Sequence, residues 1–163
     1  MYMKSLLFAA FLLFLGGSYA EAQEYDYIGA GKCKMCHNKP ATGAQYKQWQ
    51  GTKHAKAMES LKGDEKNDPK CLKCHSTVGH ADPDYVTTLK VTEGVSCESC
   101  HGPGSGYKSK AVMQSREKSI AKGLVMPDEA LCKTCHNDES PHFKGFNYDE
   151  YLEKIIHPVP AQE

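Results

Sequence analysis

One five-residue pattern, Cys-x-x-Cys-His, occurs four times in the chain of 163 residues and constrains its fold more than any other feature. The cysteine pairs are Cys33 and Cys36, Cys71 and Cys74, Cys97 and Cys100, and Cys132 and Cys135, followed by His37, His75, His101 and His136. No cysteine lies outside these motifs. Two thiols at this spacing can add to the two vinyl groups of one porphyrin, and the histidine that follows then lies under the iron as its proximal ligand. The pattern predicts four covalently bound haem c groups.

Zinc and disulfide bonds are the alternatives for a chain rich in Cys-x-x-Cys. A zinc ribbon gives no reason for a histidine directly after the second cysteine in every copy. A disulfide framework would have irregular spacings and not one repeated motif. The motifs therefore favour a small multihaem cytochrome c fold, mainly α with much irregular loop, organised around its four haems.

Composition supports this interpretation and limits the partners. The 20 basic and 20 acidic side chains cancel, which argues against nucleic acid as a general partner. Large apolar residues are few, with a single tryptophan. We therefore expect a thin apolar core that buried porphyrins complete.

The N-terminus predicts export. Residues 1–20 have the features of a secretory signal peptide: a charged Lys4, an apolar run over 6–15 and a small-x-small cleavage site ending at Ala20. The apolar run is shorter than the roughly 20 residues that a membrane-spanning helix needs. We expect residues 21–163 to form a single tetrahaem domain, periplasmic or extracellular, with no membrane span in the mature chain.

Local patterns predict several elements. Residues 85–91 favour a short strand, and residues 109–122 a polar helix ended by Gly123. Asp128 indicates the start of a helix that leads into the fourth motif. Asn147 with Glu150 indicates the start of a C-terminal helix that Pro158 ends.

Four histidines lie outside the motifs, one for each iron: His54, His80, His142 and His157. This count predicts bis-histidine ligation, which gives lower reduction potentials than Met/His ligation. His54 shares an apolar helical stripe with Met58 and Leu61, over residues 52–61. The alternative is that some of these four histidines are surface residues. Methionine is the competing axial ligand, and Met58, Met113 and Met126 are available for that role.

Three segments carry a resemblance to a known family. The first is residues 49–61, which contain Trp49, Thr52 and the run His-Ala-Lys-Ala-Met-Glu-Ser-Leu that begins at His54. The second is residues 97–104, Cys-Glu-Ser-Cys-His-Gly-Pro-Gly, and the third is residues 146–157. The chain resembles the cytochrome c-554 family, tetrahaem periplasmic electron carriers related to the partner of hydroxylamine oxidoreductase in nitrifying bacteria. The resemblance implies that His54 and His157 are distal ligands. It also implies a further distal histidine after the third motif, but this chain has none between His101 and His136.

The predicted function is electron transfer between redox-partner proteins, and not enzymatic catalysis. Two alternatives stay open. One is a haem enzyme or ligand-binding protein with one open haem, for example in nitric oxide reduction. The other is a subunit of an extracellular cytochrome filament formed by self-association. Lys32, Lys34 and Lys39 are either a docking patch for an acidic partner or a solvated face.

Overall fold

A computed structural model describes residues 25–157 and 159. The predicted signal peptide and Pro158 lie outside the described residues. Within them the chain forms short helices joined by irregular loops, which confirms the predicted fold class. The α-helices are α1 (Ala30–His37), α2 (Gln45–Gly51), α3 (Pro69–His75), α4 (Cys97–His101), α5 (Lys110–Met113), α6 (Arg116–Ala121), α7 (Glu129–Lys133) and α8 (Tyr148–Glu153). The 3₁₀ helices are Pro40–Thr42, Ala57–Ser60, Gly63–Asn67, Thr77–Gly79, Pro83–Tyr85 and Val91–Glu93.

The predicted helix starts near the C-terminus are confirmed. Asp128 Oδ1 accepts the Leu131 N–H at 2.9 Å and begins α7. Asn147 Oδ1 accepts the Glu150 N–H at 3.3 Å and begins α8. Each cap satisfies a backbone donor that the first helical turn leaves free. None of the helices formed by the described residues is long and apolar enough to cross a membrane.

Two predicted helices are broken up. Residues 109–122 form α5 and α6, because Ser115 Oγ accepts the Lys118 N–H at 3.2 Å and starts a new helix there. Residues 52–61 form a turn followed by the short 3₁₀ helix Ala57–Ser60. The His54 carbonyl lies in that turn and accepts N–H groups from Ala57 and, across the fold, from Val95.

The predicted strand over 85–91 is wrong. Tyr27 and Val86 form only an isolated parallel bridge, in which Tyr27 N–H donates to the Tyr85 carbonyl at 2.7 Å. Thr87 N–H donates in return to the Tyr27 carbonyl at 3.1 Å. A residue's preference for strands reflects packing on a sheet, and Tyr27 lies just before α1, so the pairing cannot extend.

The interior of the described region is thin in apolar side chains and rich in polar ones. The buried hydrophobic residues are Ile28, Ala30, Leu61, Ala81, Leu89 and Tyr107. The largest of the fully buried side chains are instead polar: Ser76, Thr77, Ser96, Glu98 and Ser119. The thin apolar core expected from composition is therefore observed, and hydrogen bonds hold much of the interior together.

One group of hydroxyls connects the second and third motifs. Thr77, two residues after α3, accepts the Ser96 N–H on its Oγ1 at 2.8 Å. The same oxygen lies 2.7 Å from the Ser99 hydroxyl, inside α4. Thr77 N–H also donates to the Gly94 carbonyl at 2.9 Å. These bonds fix the end of α3 against the start of α4.

Candidate functional site

The four motifs lie on short helices that give them a common geometry. α1, α3 and α4 each end at the motif histidine. The fourth motif begins in α7 and continues as one more turn, in which His136 N–H donates to the Cys132 carbonyl at 3.0 Å. Residues three and four apart lie on the same helix face. Each motif therefore presents two thiols and one imidazole to the same side.

Hydrogen bonds orient three of the motif histidines for metal binding. Nδ1 of His75 lies 3.0 Å from the Ala57 carbonyl, and Nδ1 of His101 lies 3.2 Å from the Val125 carbonyl. A carbonyl oxygen can only accept, so Nδ1 carries the proton and Nε2 keeps a free lone pair. Nδ1 of His37 lies 3.2 Å from Gln45 Oε1, which is also an acceptor, so this Nδ1 carries the proton as well. A metal-ligating histidine typically donates such a hydrogen bond from the ring nitrogen that does not bind the metal.

His136 is oriented by aromatic rings. The Phe146 ring stacks on it with a centroid distance of 4.8 Å, and the Tyr151 ring meets it edge-on at 5.6 Å. Both aromatic residues belong to the C-terminal segment at α8. The capped start of α8 thus has a role at the fourth motif, because it places one of the rings that hold His136.

Two histidines outside the motifs face motif histidines. The centroids of the His54 and His136 rings are 6.0 Å apart, and those of His101 and His157 are 5.8 Å apart. Bonds from a metal to an imidazole nitrogen are about 2 Å long. Two imidazoles on opposite sides of one metal therefore have centroids about 6 Å apart, since each centroid lies about 1 Å behind its nitrogen. Both pairs fit the spacing of axial ligands.

The electrostatics of these pairs fit the same role. Burial lowers the pKa of His54, His101, His136 and His157. A lowered pKa keeps each ring neutral at physiological pH, and the neutral imidazole is the form that binds a metal. In the described region no group of three or more His, Cys, Asp or Glu side chains is arranged to hold a metal ion. An axial pair completed by a porphyrin fits this arrangement, because the macrocycle supplies the other ligands.

His80 and His142 are placed differently. His80 follows α3, and burial of its ring lowers its pKa, while the nearby backbone carbonyls of Lys73 and Ser76 act in the opposite direction. His142 is exposed and lines a cleft of about 240 Å³ beside Cys135 and His136. Within the described residues, the ring contacts of the motif histidines involve neither of them. Their roles as ligands stay predictions.

The cysteine thiols link the motifs pairwise. α1 packs against α4, and the neighbouring thiol of Cys97 lowers the pKa of Cys33 while Cys33 raises that of Cys97. Cys135 Sγ lies 3.8 Å from the Lys73 carbonyl in the second motif, and burial together with Cys135 raises the pKa of Cys74 to about 11. The first motif therefore meets the third, and the second meets the fourth.

Cys100 joins the two pairs. Burial and the nearby thiols of Cys132 and Cys135 together raise its pKa to about 11. The third motif thus lies beside the fourth. The third motif is therefore near the first and the fourth, and Thr77 Oγ1, 2.7 Å from the Ser99 hydroxyl, also connects it with the second.

Glu98, between the two cysteines of the third motif, holds the first and third motifs together. It is 1 % exposed. Its Oε1 accepts N–H groups from Ile28 at 2.9 Å and Gly104 at 2.7 Å, and its Oε2 accepts the Gly29 N–H at 2.7 Å. Burial raises its pKa, while these N–H groups act in the opposite direction. The carboxylate thus fixes the start of α1 against α4 and the loop that follows it.

Sequence reasoning missed Glu98, because two of its three partners are about 70 residues away along the chain. The local signal is weak: an acidic residue inside a Cys-x-x-Cys pair, followed by a loop of glycines. A side chain at Gly104 would meet Glu98 Oε1 at 3.0 Å and Ile28 at 3.1 Å. The loop thus packs closely against Glu98 and Ile28.

Comparisons with known proteins define the class. A family model described as "Cytochrome c554 and c-prime" matches residues 32–102. Cytochrome c-554 of Nitrosomonas europaea is 32% identical over an alignment 169 residues long, which includes 85% of this chain and 70% of that protein. No solved structure matches the chain. The protein is a c-type cytochrome, an electron carrier with covalently bound haem. The chain belongs to the cytochrome c-554 family, as the sequence resemblance indicated.

Proposed function

We propose that the mature chain, residues 21–163, is a single-domain tetrahaem electron carrier that works outside the cytoplasm after removal of residues 1–20. Each motif holds one haem c by two thioether bonds and by its histidine. The haems are numbered here by motif in chain order. The observation that carries the proposal is the presence of two pairs of imidazole rings, with centroids 6.0 Å apart in one pair and 5.8 Å apart in the other. Each distance is the one expected for two rings that bind the same iron. Bound haem supplies an iron that gains and loses a single electron.

The ring pairs assign two distal ligands. His54 faces His136 and would complete the fourth haem, and His157 faces His101 and would complete the third. An iron with two imidazoles is coordinatively saturated and exchanges electrons without binding a substrate. His80 and His142 are the predicted ligands of the other two irons.

The thiol contacts support a path for electrons. α1 packs against α4, which brings the attachment sites of haems one and three together, and Cys135 Sγ lies 3.8 Å from the Lys73 carbonyl, which does the same for haems two and four. Cys100 lies near Cys132 and Cys135, and Thr77 Oγ1 lies 2.7 Å from the Ser99 hydroxyl, so haem three would have haems four and two as neighbours. The proposed path leads from haem one to haem three and from there to haems four and two. Redox-partner proteins would meet its ends.

Carbon monoxide titration of the reduced protein tests the proposal, with the haem content counted on the same sample. A saturated carrier should hold four haems per chain and bind no carbon monoxide, because no iron has an open sixth position. One equivalent that disappears on self-association would indicate a ligand from a neighbouring chain, as in a filament. One or more equivalents that persist in every oligomeric state would contradict the saturated carrier.

One observation favours ligand binding as a second candidate function. His80 and His142 each follow a motif by a few residues, and the His80 ring lies near the backbone carbonyls of Lys73 and Ser76 in its own segment. If either ring stays there when haem is bound, one iron keeps an open position for a small ligand such as nitric oxide. Persistent binding of carbon monoxide would then be the expected result.

Replacement of His54 by alanine should convert one haem from low-spin to high-spin and open it to one equivalent of carbon monoxide. The expected reason is loss of the ring that faces His136. Electron paramagnetic resonance of the oxidised protein measures the change. Lys53→Ala is the matched control, because it shortens the exposed side chain next to His54 without removing an imidazole. An undiminished low-spin signal in the His54 variant would show that His54 is not a ligand.

A further inference from the structure

The first motif lies in a strongly basic part of an otherwise balanced chain. Residues 27–58 contain six lysines and no aspartate or glutamate. The formal charge of the whole chain is zero, so the rest of the chain carries an excess of acidic residues. Lys32, Lys34 and Lys39 are all exposed around this motif. The positive charge is therefore concentrated at one motif and is not spread evenly.

An apolar side chain lies at the centre of this basic region. Met35, between the two cysteines of the first motif, is 70% exposed. It borders a cleft of about 310 Å³ that Lys32 and Lys90 also line. Glu93 is the acidic residue of the same cleft, and its Oε2 accepts the Ala30 N–H at 2.7 Å. We call Met35 with Lys32, Lys34, Lys39 and Lys90 the first-motif surface. An apolar centre with a charged rim is the usual composition of a transient protein interface.

The two cysteines of the first motif differ in exposure. Cys33 is partly buried, on the helix α1 that packs against α4 of the third motif. Cys36 is exposed, whereas the other seven cysteines are partly buried. One attachment edge of the first haem thus faces the next haem, and the other faces solvent beside Met35. This geometry suits a site where electrons cross between the protein and a partner.

We propose that the first-motif surface docks an acidic redox protein and passes single electrons between that protein and the first haem; this inference rests on the proposed electron-carrier function. In each transfer the donor loses one electron and one ferric haem becomes ferrous, or the reverse. Lysine rims attract an acidic partner over a distance and orient it. Met35 then supplies the short-range apolar contact at the centre.

The test uses reduced flavodoxin, a small acidic protein that donates single electrons, and the oxidised holoprotein in a stopped-flow spectrometer. The variant K32E/K39E/K90E reverses three exposed charges of the surface. The control K110E/K118E/K122E reverses three exposed lysines outside the four motifs, with the same change in net charge. At low ionic strength we expect the surface variant to react about tenfold more slowly than the control, since electrostatic steering changes association rates by 10-fold or more. The difference should shrink in high salt, where exposed charges are screened.

A second variant tests the apolar centre without a change in charge. M35N should slow the reaction in high salt as well, because the contact that it removes does not depend on ionic strength. Equal rates for the two triple variants, with a fast wild-type reaction, would overturn the docking proposal alone. A wild-type holoprotein that takes up no electrons from flavodoxin at any ionic strength would overturn the electron-carrier function itself. The two failures are thus distinguishable.

Discussion

Replacement of all eight cysteines by serine should leave the mature chain without a cooperative fold. The described region buries few apolar side chains, among them small ones such as Ala30 and Ala81. Burial of this size does not offset the conformational entropy lost when more than a hundred residues are ordered. Covalently held porphyrins would add large apolar surfaces between the short helices. Far-ultraviolet circular dichroism during heating measures the effect.

The control for this experiment is Cys36→Ser. Cys36 is exposed, and Cys33 still provides one thioether bond to the same haem. This variant should keep all four haems and a cooperative thermal transition. A cooperative transition in the eight-cysteine variant would show that the polypeptide folds by itself, and that the haems do not complete the core.

The features predicted correctly from the sequence are those set by neighbouring residues. Asp128 and Asn147 begin helices because their side chains accept N–H groups only three residues away. The four motifs are also local patterns, and the attachment of haem that they predict depends on spacing within five residues. The prediction of one long helix over 109–122 was wrong because of another local effect at Ser115. A serine that caps a new helix competes with continuation of the preceding helix.

The features that were missed depend on distant partners. The strand over 85–91 had suitable residues, but its one pairing partner, Tyr27, leads directly into α1. The count of four spare histidines predicted axial ligation without saying which ring faces which. His54 lies beside a motif histidine 82 positions later in the chain, His136. Pairings over such distances are properties of the fold, and no pattern within one segment encodes them.

Glu98 is the clearest of these nonlocal features, and its replacement by glutamine should destabilise the holoprotein by about 2–4 kcal/mol, as expected when a buried charged acceptor is lost. Glutamine has nearly the same shape, so packing is conserved. However, its amide has one acceptor oxygen and one NH₂ group. In either orientation the NH₂ group meets a backbone donor, of Gly29 on one side or of Gly104 on the other. At least one buried N–H therefore loses its acceptor.

Guanidinium unfolding of the holoprotein measures this effect, and Glu93→Gln is the matched control. Glu93 accepts the Ala30 N–H on Oε2 at 2.7 Å and is less buried than Glu98. Its replacement should lower the free energy of unfolding by only about 1 kcal/mol, the usual net value of one hydrogen bond. Equal effects of the two replacements would contradict the special role of Glu98. Because Glu98 fixes α1 against α4, its replacement should also weaken the magnetic coupling between the first and third haems in the resonance spectrum. The control should leave that coupling unchanged, since the Glu93 bond to Ala30 does not reach α4.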